Sequence, residues 1–351
     1  MTSALVDIPA HYAIDHCKGC ANFLCDICYN SAGMIMITGG TGFIGNVLIR
    51  QLSDLGYPIK LVIRPSKKSP NIPKGVPLDV TITSLTDTKG LQAAMKGVDI
   101  VYHLASAESL GREAQLSTVD IQGTKNLVEA ASHSNIQRVF YLSHIGTDRA
   151  SAYPLLKAKA IAEHAIKTSK IPYTILRSAL AYGEGDHFTN GLAFLLKISP
   201  YIVMLPEDGS VLLQPIWVED LVRVLTWSLD MPQTINETID VGGPDYLSFR
   251  EICTLIADKI HIKRHYQAVP PVFLNMVTEF LEIITPNFPT SVFWLDYLAT
   301  NRTTALEVLP KLFSLIPARM NQRLGHLDGK NFLKPLWKIL VRRKRTTIRW
   351  D

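Results

Sequence analysis

Apolar residues first gather in a short run, Met34 to Ile37, which a glycine-rich turn follows at once. Beyond the turn Val47, Leu48, Leu52 and Leu55 recur at roughly helical spacing. The short run reads as a buried strand and the wider spacing as a helix with one covered face. The alternation continues. Ile59 to Ile63 predicts a second strand, and after a Pro-rich turn come a strand near Asp79 to Thr83 and a helix around Leu91 to Met95. Val98 to Ala105 predicts a fourth strand, the stretch through Gly123, Thr124 and Leu127 to Ala131 a helix, and Arg138 to Ser143 a fifth strand. Strands that alternate with helices are joined by right-handed crossovers, so the pattern predicts an α/β fold. The expected form is a Rossmann-type doubly wound parallel sheet with a smaller C-terminal substrate lobe. Its ligands belong at the carboxyl ends of the strands.

Composition agrees. The chain has 351 residues, enough for such a sheet and a second lobe, and its 47% hydrophobic and 19% charged content excludes disorder for most of the length. The expected divisions are a Cys-rich leader over 1–33, a nucleotide-binding domain over 34–260 with substrate-lobe elements from about 178, a mainly helical region over 261–329, and a basic tail over 330–351. No apolar run reaches the ~18 residues of a membrane span, and no basic start with an apolar stretch marks a secretory signal. A cytoplasmic location is expected.

Charge and greasiness both concentrate late. Lys330, Lys334, Lys338, Arg342, Arg343, Lys344, Arg345 and Arg349 share the tail with one acid, Asp351, while Leu333, Leu336, Trp337, Leu340 and Val341 form an apolar helical stripe. Such a segment lies peripherally on an anionic membrane or docks its stripe on its own domain. No recognition motif accompanies it, so nucleic acid is not an expected partner. Val272-Phe273-Leu274, Phe280, Leu281, Phe293-Trp294-Leu295 and Tyr297-Leu298 suggest a greasy pocket, an assembly surface or plain packing.

The turn after the first strand, Thr38-Gly39-Gly40-Thr41-Gly42-Phe43-Ile44-Gly45, carries the first chemistry. Strand, glycine turn and helix in that order cradle a dinucleotide, with the phosphates on the helix N-terminus. At the end of the second strand, where an acid would hold the ribose hydroxyls of NAD, stand Arg64-Pro65-Ser66-Lys67-Lys68. Arg64, helped by Ser66 or Lys67, suits a 2′-phosphate, so NADP(H) is the expected cofactor and NAD(H) the second choice. A solvated basic turn is the bland alternative. Cys17, Cys20, Cys25 and Cys28 have metal-like pairing, but the four-residue interval between pairs is short, and no metal site is predicted. Cys253 sits in an apolar helical pattern and reads as packing.

Ser143 ends the fifth strand, and Tyr153 and Lys157 follow four apart, on one face of a helix that Pro154 suits at its first turn. An ammonium beside a phenol favours phenolate, so Tyr153 and Lys157 are the candidate acid–base pair, with Ser143 donating to the substrate oxygen and Lys157 holding the nicotinamide ribose. The implied substrate is a small carbonyl or alcohol.

With these motifs the chain resembles the extended and atypical short-chain dehydrogenase/reductases, the NAD(P)-dependent epimerase/dehydratase type, over about residues 34 to 260. Thr38-Gly39-x2-Gly42-x2-Gly45, His103-Leu104-Ala105-Ser106 and Gly123-Thr124-x-Asn126-Leu127 are similar to the family's glycine, fourth-strand and helix motifs. Arg177, Tyr182-Gly183-x-Gly185 and Gln214-Pro215-Ile216-Trp217-Val218-x-Asp220-Leu221 resemble its downstream signatures. The resemblance implies Ser143, Tyr153 and Lys157 as the catalytic set of an oxidoreductase or epimerase. It also implies a cofactor site that includes Gly39, Thr41, Gly42, Phe43, Ile44, Gly45, Arg64, Ser84, Leu85, Leu104, Ala105, Ser106, Tyr153 and Lys157. Several positions depart from the pattern. Thr83-Ser84-Leu85 replaces Gly-Asp-Leu, Asp120 stands where Asn is common, and Ser178 replaces a proline. The chain is also similar in style to the NADPH-binding accessory subunit of respiratory complex I, which implies the rival role of a non-catalytic assembly or redox-sensing protein.

Overall fold

The computed structural model describes residues 33–66, 69–285 and 292–332. Its centre is a seven-stranded parallel sheet made of β1 (Ile35–Thr38), β2 (Ile59–Ile63), β3 (Asp79–Ile82), β4 (Ile100–His103), β5 (Arg138–His144), β6 (Tyr173–Ser178) and, later in the chain, Glu237–Val241. Between β6 and that last strand lie the short strands β7 (Ala181–Tyr182), β8 (Ile202–Pro206), β9 (Leu212–Leu213) and β10 (Ile216–Trp217), so Glu237–Val241 is β11. The spatial order is 3-2-1-4-5-6-11, which reverses direction between β1 and β4. That reversal is the switch point where open α/β sheets bind their ligands.

Helices α1 (Phe43–Asp54), α2 (Thr88–Ala94), α3 (Gly123–Ser132), α4 (Pro154–Lys167), α5 (Phe188–Ile198) and α6 (Val218–Trp227) cover the sheet or lead into the lobe. Side chains of β1 alternate between the two faces, as a strand must. Ile35 and Ile37 pack with Leu48, Ile49 and Leu52 of α1 and Leu221, Val222 and Leu225 of α6. Met36 faces the other way, toward Leu91 of α2 and Leu127 and Ala130 of α3. A strand covered on both faces has no polar side, which is why Met34 to Ile37 reads as one unbroken apolar run.

The remaining chain adds β12 (Leu247–Ser248), α7 (Phe249–Lys259), β13 (His265–Val269), α8 (Pro271–Ile284), α9 (Val292–Tyr297), α10 (Val308–Phe313) and α11 (Met320–Arg323). Ser248 begins α7 with a reciprocal cap: its hydroxyl accepts from the Glu251 N–H, and the Glu251 carboxylate accepts from the Ser248 N–H. Cys253 of α7 is fully buried in the lobe core with Phe188, Phe194, Phe249 and Met320, so its thiol is pushed up out of the reactive range. Strands β8 and β13 pair in parallel as a separate ribbon on the lobe. Among the described residues no helix is long and apolar enough to cross a membrane. The Cys17–Cys28 cluster, Lys67, Lys68 and the tail from Leu333 onward lie outside the described residues.

Candidate functional site

A cleft of about 2530 Å³ runs along the carboxyl edge of the sheet, from the glycine turn to the aromatic side chains of the lobe. Its first wall is the turn itself. Gly39 has φ +76, and a Cβ there would lie 2.5 Å from the Ala105 nitrogen, so glycine lets β1 and the end of β4 touch. A Cβ on Gly45 would meet the Gly39 carbonyl oxygen at 2.5 Å, which is why α1 can start so close under the loop. Gly42 caps α1 with no side-chain acceptor, and no acid lies in the first turn. Its opening N–H groups are therefore left for an anion. Asn46, a residue not anticipated from the pattern, pins the loop: its Nδ2 donates to the carbonyls of Gly42 (2.9 Å), Gly40 (3.2 Å) and Asn71 (3.3 Å).

Thr41, Gly42, Phe43, Ile44, Arg64, Ser66, Ser84, Leu85, Leu104, Ala105 and Ser106 all line this cleft. Arg64 is exposed at the end of β2, and Leu85 is held by Asn126, whose Nδ2 donates to its carbonyl at 2.9 Å. The open N-terminus of α1, the Arg64 cation beyond β2 and the cleft wall at Ser84 and Leu85 together fit a dinucleotide. His103 is a strut rather than a ligand. Fully buried, it meets Thr38 Oγ1 at 2.6 Å and Thr124 Oγ1 at 2.9 Å, and burial, with Lys159 nearby, lowers its pKa to about 3.

At the catalytic end the structure does not bring the expected set together. Ser143 lines the cleft, its Oγ 3.3 Å from Thr147 Oγ1, but Tyr153 and Lys157 do not reach it. Tyr153 is the extended N-cap residue of α4, half-buried beside the helix start, and Lys157 is exposed. Lys159 takes the inward position. Two residues along a helix is a turn of about 200°, so Lys157 and Lys159 must face opposite ways. The packing decides which one enters: Leu155, Leu156, Ala158 and Ala162 form the buried side, and Lys159 lies with them.

Lys159 Nζ sits 3.3 Å from Asp120 Oδ1 and 5.3 Å from the centre of the Tyr141 ring. Asp120, fully buried in a π-helical turn (Ser117–Gln122), accepts from the Ala107 N–H through its other oxygen at 3.0 Å. Burial opposes the Lys159 charge, but Tyr141, Asp120 and Glu108 outweigh it and raise the pKa, so Lys159 is a fixed cation and not a base. Tyr141 is pushed by burial up to about 12, Lys159 pulling the other way, so no phenolate is available at neutral pH.

Beside this cation stands His144, the last residue of β5, whose Nε2 is 2.9 Å from Glu108 Oε2. Burial would raise the Glu108 pKa, but His144, Lys159 and His187 together bring it down to about 2. Both side chains line the cleft, as do Phe188, Trp294 and Tyr297 from the lobe. Phe188 and Trp294 stack at 4.6 Å, and Tyr297 meets the His144 ring edge-on at 6.1 Å. The late apolar residues thus divide: Phe293, Trp294 and Tyr297 wall the cleft, while Val272, Phe273 and Phe280 are exposed. Lys159 did leave a sequence signal. Lys159 and Glu163 interrupt the apolar stripe of α4, and buried charges demand partners, here Asp120 for one and a bidentate Arg177 (2.9 and 2.6 Å) for the other.

Comparison with known proteins agrees with this geometry. Residues 39–188 match the family described as NAD(P)H-binding. Residues 39–188 are therefore an NAD(P)-binding domain within a Rossmann-like parallel sheet, in keeping with the resemblance to the extended short-chain dehydrogenase/reductases. Its relatives include the Arabidopsis thaliana mitochondrial NADH dehydrogenase [ubiquinone] 1 alpha subcomplex subunit 9, 26% identical over 67% of this chain and 60% of that one. A phenylcoumaran benzylic ether reductase of Pinus taeda is 28% identical over 66% and 76% of the two chains, and a photosystem II assembly factor of Trieres chinensis 23% over 70% and 75%. The match thus spans less than two thirds of the Arabidopsis protein's own length. Among solved structures, an epimerase from Methanothermobacter thermautotrophicus shares the fold with a TM-score of 0.68, at 18% identity over 92% of this chain and 98% of that one.

Proposed function

We propose that the protein is an NADPH-dependent reductase of a carbonyl centre in which Ser143, Lys159 and His144 replace the usual tyrosine-based set. The observation that carries this reading is the convergence of Ser143, Lys159 and the His144–Glu108 pair on one continuous cleft that also reaches the glycine turn. When bound, reduced nicotinamide supplies a hydride. Ser143 Oγ donates to the carbonyl oxygen and orients it, and the fixed Lys159 charge stabilises the oxyanion that develops there. His144, held through Nε2 by the Glu108 carboxylate, carries the proton that the product oxygen takes. Arg64 with Ser66 holds a 2′-phosphate and sets the preference for NADP(H).

A second reading has its own support. Tyr153 and Lys157 lie off the cleft, and relatives include a complex I subunit and a photosystem assembly factor, so a bound dinucleotide could serve assembly without turnover. The two readings separate when the full chain is screened for NADPH oxidation against carbonyl compounds. Under the first, a turnover appears that His144→Asn lowers by about 10²–10⁴-fold with NADPH affinity unchanged. Tight NADPH binding with no turnover over a broad panel supports the second.

A further inference from the structure

Helix α8 is built inside out. Its buried residues are Leu274, Thr278 and Glu282, one turn apart and two of them polar. Its large apolar side chains point away from the protein: Val272 is 71% exposed, Phe273 49%, Met276 67%, Phe280 62%, Ile283 61% and Ile284 59%. At 100° per residue these six cover an arc about 120° wide, the width of a stripe that normally faces a core. A helix with only water beyond it carries the opposite arrangement. An exposed apolar face this continuous marks a surface whose neighbour is not water.

Charge tells which neighbour. On the exposed side of α8 the one charged residue is Glu279, at the margin of the arc. The β8–β13 ribbon that leads into α8 exposes Ile202 (56%) and Met204 (48%), with Tyr201 (76%) just before it; Lys197, Lys263 and His265 are exposed at its far end, and Glu207 and Asp208 at the end next to α8. From Lys330 onward the sequence adds eight Lys and Arg residues against Asp351 alone. An apolar face on a chain whose cation excess lies in its C-terminal segment matches an anionic lipid headgroup layer, where the cations give the attraction and the apolar side chains enter the acyl boundary. Fourteen residues of helix span about 21 Å, short of the ~30 Å hydrocarbon core, so the helix suits a position in the plane of the membrane and not across it.

We infer that the outer face of α8 docks in plane on the surface of an anionic lipid bilayer, with the basic C-terminal segment supplying the electrostatic attraction. This stands apart from the reading of the cleft. The test is co-sedimentation of the full chain with vesicles of equal parts phosphatidylcholine and phosphatidylglycerol, and of phosphatidylcholine alone, over a range of salt. Binding should favour the anionic vesicles and weaken with salt. The double variant Phe273→Ser/Phe280→Ser should lower partitioning by about 100-fold, about tenfold for each half-exposed ring, with the thermal midpoint unchanged or higher. Three results would overturn the inference. In the first, the wild-type chain fails to bind anionic vesicles at low salt, or the variant binds as well as wild type. In the second, analytical ultracentrifugation shows a dimer that the variant dissociates, which makes a second copy the occupant. In the third, the variant loses several degrees of thermal stability, which means that the chain covers this face itself.

Discussion

At the residue scale the candidate site turns on which groups hold a charge inside the cleft. Lys159 is held positive beside Tyr141 and Asp120, and the Glu108 carboxylate is hydrogen-bonded to His144, so the region holds one buried ion pair and one His–Glu pair beside a neutral His103. Replacement of Tyr153 by Phe should leave both NADPH affinity and any turnover within about twofold, because the phenol lies off the cleft. Lys159→Met should be severe. It leaves Asp120 buried without its ion pair, a change of about 3–5 kcal/mol in comparable cases, read as a lower midpoint in urea. Titration gives a second check. His103 has a folded pKa near 3 against an ordinary 6.5, so the folded state resists a proton that the unfolded chain accepts, and stability falls as pH drops from 6.5 toward 3. Glu108, near 2 against 4.5, contributes stability that is complete above 4.5 and lost as pH falls toward 2. The windows separate the two groups. Urea titrations should show His103→Gln flattening the decline between pH 6.5 and 4.5, and Glu108→Gln flattening it only below 4.5.

At the element scale, the N-terminus of α1 is the feature that makes the cleft a dinucleotide site. Gly45→Ala should weaken folding and NADPH binding together, since its methyl would enter the Gly39 carbonyl at 2.5 Å from the backbone. Overpacking of this kind costs about 1–3 kcal/mol, measurable as a lowered melting temperature and a weakened cofactor titration. Arg64 acts at the end of β2 and should matter only to the 2′-phosphate. Arg64→Ala should remove most of a preference for NADP(H) over NAD(H) with NAD(H) affinity little changed, and equal affinities in the wild-type chain would refute the charge argument. The glycine turn and its flanking elements were legible from sequence because they are local: strand, turn and helix follow one another without a gap. The acid–base set was less so. Tyr153 and Lys157 satisfy a spacing rule, but spacing says only that two residues share a helix face. Which face of α4 turns inward depends on Ala162 and Ile166 packing against Tyr141 and Ile175 of the sheet.

At the scale of the whole molecule, the sheet and the lobe meet along one cleft, and the lobe completes it with Phe188, Trp294 and Tyr297. A ligand that bridges sheet and lobe should stabilise both. NADPH at about 100 times its Kd should add about 2.7 kcal/mol to the unfolding free energy, seen as a rise of several degrees in melting temperature. The size of that rise, NADPH against NADH, also ranks the cofactors without any need for a substrate. The lobe's own aromatic residues serve two ends. Those on α9 close the cleft, while those on α8 turn outward, although both stretches read alike as apolar sequence.

What the sequence determined by itself was therefore the order of the first five strands with the helices between them, and the glycine turn at which the cleft begins. These depend on local periodicity and on backbone conformations that only glycine tolerates. Tertiary structure alone decided the rest. It put Lys159 and not Lys157 into the cleft, paired His144 with Glu108 across 36 positions of chain, and turned the apolar side of α8 outward. Those outcomes are set by which face of each helix the neighbouring elements cover. A one-dimensional pattern gives the spacing of a stripe, but the direction in which it points is fixed only by what packs against it.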